Sequence, residues 1–433
     1  MKQDKLTSLR STRFGLGVAA AALVTFASAA TYAQETMTTL HYATPLTTEV
    51  IDVGERPLIE EFMRRNPDIR VEIEQIPFSN YNTRLTTEIR GGQGPDIGRI
   101  NHSDVMLFGG ARFLLPLDAA IAEQGIDTSV FIPGLLDVGQ MGGVQMTLQM
   151  TTDARVLFYN PRLLAEKGFD AAPATWEELI AVTAAFGGTD IAGYGLVSDS
   201  DFALSYNQLG PYIIGAGGTL LSDDGSAAVA AESEGVIAAV EMMQEMVRTG
   251  GTTPNIEATS GANLTQMFAQ DRLAMMLGGP WTRTSILNAN PDLVYGTDFA
   301  TAPVPVRQEG MSSGSVAGGW HMGIFANTSH PEAAARLLAF LMEPENLIAL
   351  NANEAFPPLV GGLGNEPWSS DPFFAAFDAV LPGSNVPFTP VARFAEVSAA
   401  FGRAMTPVLA DPSGSVHEAL ADFDRQVNTQ ILD

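Results

Sequence analysis

The sequence predicts an α/β protein built as two lobes, each around a mostly parallel sheet. Three observations lead there. The chain has 433 residues, more than one simple hydrophobic core organises, so two domains are expected. Short strand-like runs alternate with amphipathic helical runs in both halves, the pattern of strand–helix–strand units. The apolar run Leu273–Leu277 stops at Gly278-Gly279-Pro280 and delivers Trp281 beside Thr282 and Arg283. An apolar run of that length bounded by Gly and Pro reads as a buried strand. A strand ending in a tight turn there presents an indole as a ligand platform. On this stretch alone a core position for Trp281 stays open, because Trp is highly buried on average.

Taken in order, Thr38–Ala43 is β-prone, with Leu40 and Tyr42 on one face, and ends at Thr44-Pro45. Pro57 fits the first turn of a helix through Leu58–Met63, closed by Asn66-Pro67. Val71–Glu74 alternates as a half-buried strand does. A helix over 81–90 ends at Gly91-Gly92, and Gly94-Pro95-Asp96-Ile97 leads into a further strand. Val156–Tyr159 reads as a buried strand. Thr175 and Glu178 have the spacing of a capping box. The run 233–248 is amphipathic, with Val236, Val240, Met243 and Val247 on one face and Gly250 just beyond. Its methionines are core filling. Pro331 opens another helix, and two amphipathic runs, around Phe394–Phe401 and Val416–Val427, end the chain in helices.

Residues 1–33 form a separate object. Lys2, Lys5, Arg10 and Arg13 precede an apolar core, Phe14–Ala27, and Thr31-Tyr32-Ala33 fits a cleavage site before Gln34. This pattern predicts a secretory signal peptide for the general export route. There are no cysteines, so disulfides, thiolate metal sites and a lipid-anchoring cysteine are excluded. A soluble, unanchored periplasmic protein is expected. Without the leader, 19 basic side chains face 48 acidic ones, a net charge of −29. Such a field opposes nucleic acid and anionic membranes.

The search for chemistry finds no catalytic constellation. Gly310-Met311-Ser312-Ser313-Gly314 matches a nucleophile elbow in letters, but neither flank supplies the strand and helix that motif needs, so it reads as a turn. The five histidines show no metal-ligand spacing, and no dinucleotide or P-loop fingerprint is present. No cofactor or metal is expected, and no enzyme.

Eight motifs in order carry a resemblance. They are Gly94-Pro95-Asp96-Ile97, Phe158-Tyr159-Asn160-Pro161, Pro173–Leu179, Gly215–Gly225, Phe268–Met276, Gly279-Pro280-Trp281, Gly318-Gly319-Trp320 and His330–Ala334. Together they resemble the extracellular solute-binding proteins of bacterial ABC importers, the carbohydrate-binding family that includes maltose-binding protein. Asp271 departs from the family's usual Gly. The resemblance implies a two-lobed periplasmic-binding-protein fold of type II, with ligand held in the cleft and closed over by a hinge. On this chain it implies a first lobe of 34–152 and 322–366 and a second of 153–316 and 367–433. The crossovers fall near 149–154, 316–321 and 359–370. It implies a small carbohydrate ligand, membrane permease subunits as partners, and a monomer.

Sugars offer hydroxyls at their edges and C–H groups on their faces, so a site needs amides, carboxylates or Arg together with aromatic rings. On that basis Trp281 and then Trp320 are the expected stacking residues. Asp96, Asp153, Thr44, Asn101, His102, Tyr206, Asn207, Gly319 and His321 complete the candidate set. Arg393, before the penultimate helix, is a candidate anion clamp, with a surface salt bridge as its alternative. If it enters the cleft, the ligand could be a glycerol-phosphate-type or sulfonated sugar. A secreted glycan hydrolase is the alternative of another class.

Overall fold

The computed structural model describes residues 37–432 apart from 199–202, 353–354, 382–383, 386–390 and 392. The expected leader, 1–33, lies outside the described residues. Nine strands make the two main sheets among the described residues. They are β1 (Thr38–Thr44), β2 (Ile69–Gln75), β3 (Ile97–Asn101), β4 (Leu148–Gln149), β5 (Val156–Tyr159), β6 (Ala192–Tyr194), β7 (Leu273–Gly278), β8 (Ala300–Ala302) and β9 (Trp320–Ile324).

The first sheet has the order β2-β1-β3-β9-β4. β1 runs parallel to β2 and β3, whereas β9 is antiparallel to both β3 and β4. Leu40 and Val71 turn inward from β1 and β2, onto Ile59 and Phe62 of the helix Glu55–Arg65 and onto Leu338 of the helix Pro331–Leu341. The second sheet has the order β8-β5-β7-β6. β5 is antiparallel to both β7 and β8, and β7–β6 is the parallel pair. Both sheets are therefore mixed, which corrects the expectation of mostly parallel ones. Strands entering from the other lobe come in against the direction set by the local strand–helix units, so β9 and β5 are antiparallel to their neighbours.

The local signals read from the sequence take the expected forms. Thr175 and Glu178 make a capping box, each side chain bonding the other residue's backbone N–H. Val236, Val240 and Met243 of the helix Glu234–Arg248 are buried against Val397 and Phe401 of the helix Phe394–Ala410 and Leu420 of the helix Val416–Gln430. Trp176 and Trp368 are buried, and each indole N–H donates to a backbone carbonyl, Pro305 at 3.0 Å and Ala355 at 2.9 Å. Ser312 is exposed and the short strand Ser315–Val316 follows it, so no nucleophile elbow forms.

Three segments cross between the sheets side by side. The first runs from β4 to β5 through Met150–Arg155. The second leads from Val316 into β9, and Asp153 bridges Gly318 in antiparallel fashion. The third passes through Phe356, which exchanges backbone hydrogen bonds with Thr152, both 2.8 Å. Gly319 makes this closeness possible. Its φ of +120° favours glycine, and a Cβ there would come within 2.1 Å of the Thr151 carbonyl oxygen. No helix among the described residues is long and apolar enough to cross a membrane.

Candidate functional site

A cavity of about 510 Å³ opens between the two sheets on one side of the crossing segments. From the first lobe come Phe78, Arg99, Asn101 and Trp320; from the second come Asp153, Arg155, Tyr206, Asn207 and Trp281. Asn101 is the last residue of β3 and Trp320 the first of β9, directly paired with it. Trp281 opens the helix Trp281–Ala289 straight after β7. The Gly278-Gly279-Pro280 turn works because Gly279 has no Cβ; one would come within 2.2 Å of the Trp281 ring.

Trp320 stands edge-on to Phe78 and Tyr81, each ring 6.1 Å away. Trp281 keeps 37% of its surface exposed. Between them Arg155 organises the second-lobe wall. Its Nη1 donates to Asp153 and its Nε to the Asn207 Oδ1 at 3.1 Å. Its guanidinium lies 5.0 Å from the Tyr206 ring centre and 5.1 Å from that of Trp281. The charge of Arg155 is thus met by one carboxylate and two π-faces. Burial pushes the Asp153 carboxyl above its usual range, and Arg155 offsets part of that. Arg99 is paired too: its Nε donates to Glu55 at 2.5 Å, and Glu55 also accepts from the Tyr42 hydroxyl at 2.5 Å. Neither arginine was singled out from sequence. The available signal was a lone Arg inside an apolar strand, as in Ile97-Gly98-Arg99-Ile100 and Ala154-Arg155-Val156. A buried charge there has to be paired.

Of the expected site residues, the cavity brings together Trp281, Trp320, Asp153, Asn101, Tyr206, Asn207 and Gly319. The others lie elsewhere. Asp96 precedes β3, at the opposite end of the strand from Asn101. Its carboxylate accepts from the His41 backbone N–H at 2.8 Å and the Thr328 hydroxyl at 2.5 Å, so it ties strands together. Thr44 is buried beside Glu55, outside the lining. His321 is buried, with its Nδ1 3.0 Å from the Thr147 hydroxyl and its Nε2 3.4 Å from His102 Nδ1. Burial holds His102 down to about 4 and His321 well below the ordinary histidine value, so both rings are neutral structural groups at neutral pH. His102 lines a different cavity, together with Thr152 and Ala317. Those two alternate with Asp153 and Gly318 along the crossing segments, so that cavity is on the reverse side.

Arg393 also lies outside the cleft lining. It precedes the helix Phe394–Ala410, pairs with Glu396, and donates from Nη1 to the carbonyls of Gln430 at 3.1 Å and Ile431 at 2.7 Å. The expected anion clamp is replaced by a surface tie to the C-terminal helix. Among the described residues no group of three His, Asp or Glu side chains is placed to hold a metal ion.

Known proteins share this architecture. The family model of bacterial extracellular solute-binding proteins matches residues 48–348. A binding protein of Brucella abortus (strain 2308) is 26% identical over 347 residues, spanning 77% of this chain and 80% of that protein. The maltotriose-binding protein of Pyrococcus abyssi is 25% identical over 372 residues, spanning 84% of this chain and 76% of its own. An ABC transporter solute-binding protein from Thermotoga lettingae, solved with α-D-tagatose, superposes with a TM-score of 0.80 at 24% identity, covering 92% of this chain and 100% of that one.

Proposed function

The chain belongs to the bacterial extracellular solute-binding proteins, and from that premise we propose that it captures a neutral sugar between its lobes for delivery to a membrane permease. The observation that carries this reading is the cleft itself, with Trp281 on one wall and Trp320 on the other. Two indoles offer faces for sugar C–H groups, and Asn101 and Asn207 offer amides for hydroxyls. The similarity to a maltotriose-binding protein points the same way.

The charge pattern favours a neutral ligand over the sulfonated or glycerol-phosphate-type alternative. Arg99 and Arg155 are each already paired with a carboxylate, and Arg393 is engaged elsewhere. Binding without turnover is favoured over glycan hydrolysis. Hydrolysis of a glycoside commonly uses two carboxylates flanking the bond. Among the described lining residues the cleft has one, Asp153, and Arg155 holds it.

In this reading residues 34–152 with 322–366 form one rigid lobe and 153–316 with 367–433 the other. The crossing segments near 149–154 and 316–321, with the third that passes through Phe356, act as the hinge. A ligand touching both lobes favours the closed form by the contacts that only closure completes. In the same reading the protein acts as a monomer in the periplasm, exported by its leader.

Two of the four tryptophans line the cleft and two are buried in packing, so intrinsic fluorescence reports on the site. The test is a titration of neutral and anionic sugars followed by fluorescence and thermal shift. A ligand at 100 times its Kd adds about 2.7 kcal/mol of stability. A neutral sugar that shifts both signals and is recovered intact supports the proposal. Conversion of the sugar, or response to anionic sugars alone, refutes it.

A further inference from the structure

The cavity on the reverse side of the crossing segments, about 560 Å³, takes no part in the sugar reading. Both sheets contribute to it. The helix Pro133–Val138, which packs on β4, supplies Leu135 and Val138. Leu381 follows the helix Ala375–Val380, which packs on β5. Phe356 and Leu359 of the third crossing segment line it as well. A largely apolar cavity of several hundred Å³ with a few polar groups is the usual form of a small-molecule site.

His102 supplies the decisive observation. Its ring is 5% exposed and lines this cavity. Nδ1 faces His321 Nε2 at 3.4 Å. Nε2 has no partner among the described residues, and unlike the Oε1 of Gln149 it is not sealed from solvent. A nitrogen so placed in apolar surroundings calls for a partner. If His321 donates to Nδ1, the free Nε2 carries a proton; if His321 accepts, Nε2 offers a lone pair. A hydroxyl both donates and accepts, so it satisfies either tautomer. Among the described lining residues the one formal charge is the carboxylate of Asp378, which is exposed. It disfavours an anionic occupant.

We propose that this cavity is a second ligand site, for an apolar molecule of phenol type, without negative charge, whose hydroxyl meets His102 Nε2. An occupant touches walls built on both sheets and so ties them together on the side away from the cleft. The site goes beyond the sugar-capture reading and does not depend on it.

Calorimetric titration of the mature chain compares para-ethylphenol with ethylbenzene, which lacks the hydroxyl, and with para-hydroxyphenylacetate, which adds a negative charge. Para-ethylphenol is expected to bind once per chain, at least about tenfold more tightly than either. Leu135→Trp and Leu381→Trp fill the cavity from separate walls. Each is expected to weaken para-ethylphenol at least about tenfold, and the second serves should the first fold poorly. His102→Phe keeps a ring but removes Nε2, and should bring para-ethylphenol down to the affinity of ethylbenzene. Absence of saturable para-ethylphenol binding overturns the site. So does undiminished binding in the filled variants. Ethylbenzene or para-hydroxyphenylacetate binding as tightly as para-ethylphenol overturns the ligand class. Sugar capture in the cleft stands in each of these cases.

Discussion

Arg155→Met removes the guanidinium that joins the second-lobe wall while keeping most of the side chain's apolar stem. In the native protein that group bonds Asp153 and Asn207 and lies against the rings of Tyr206 and Trp281. The two charged side chains are only 9% and 10% exposed, so water screens them little. Removing one partner of a buried pair strands the other, at a cost of about 3–5 kcal/mol. The double variant Asp153→Asn/Arg155→Met strands no charge and is expected to recover about half of that loss or more. The deficit also depends on pH. Burial already raises the Asp153 pKa, and loss of Arg155 removes the one influence that lowers it. With its folded-state pKa above the unfolded one, near 3.9, the variant's native state holds a proton that the unfolded chain releases. The single variant is therefore weakest above the raised pKa and regains stability as pH falls through it. Urea denaturation of the native chain and both variants at pH 7.5 and 5, followed by circular dichroism and fluorescence, reads all three effects. A single-variant loss under about 1 kcal/mol, or a double variant no better than the single, would refute the pairing argument.

Three further outcomes follow. Arg393→Ala should leave the affinity for neutral and anionic sugars within twofold, because its guanidinium lies on the C-terminal helix. The Glu396 pair is exposed and screened by water, so only a small drop in melting temperature is expected. A loss of anionic-sugar affinity would restore the clamp. Asp104 is buried, accepts from the Asn82 amide at 2.6 Å, and is pushed up to about 6 by burial. Its native state keeps a proton that the unfolded chain loses near 3.9, so it costs stability increasingly between about pH 4 and 6, by up to about 3 kcal/mol. Asp104→Asn should therefore gain stability at pH 7.5 relative to its effect at pH 4; equal melting shifts at both pH values would count against this. Trp281→Ala should weaken neutral-sugar binding at least about tenfold by calorimetry through lost ring contact, and an unchanged Kd would remove the indole from the site.

The sequence exposed the features governed by short-range rules. The capping box at Thr175, the turn at Gly279-Pro280 and the β7 run all depend on residues within a few positions of one another. Motif order identified the two-lobed architecture and pointed to Trp281 as one wall of the cleft. The misses share a cause, because each depends on strand direction or on a partner far along the chain. Asp96 belongs to a motif at the beginning of β3, while the cavity is at the strand's end. The mixed sheets follow from segments that cross between lobes, which periodicity does not encode. Arg99 finds Glu55 44 residues away, and Arg155 finds Asn207 52 residues away.

The position of β9 has a consequence for timing. It lies between β3 and β4, so the first sheet keeps a gap until synthesis has passed Ile324. A nascent chain holding only the earlier strands has two unpaired edges and an uncovered apolar face. Pairings of such long sequence separation form slowly, because loop closure precedes the contacts that stabilise it. The interleaved chain order thus acts as a delay, holding back the finished first lobe until most of the polypeptide exists. Under the export proposed above, that delay keeps the chain threadable. The same topology makes β9 the segment whose loss should leave the first sheet unfinished.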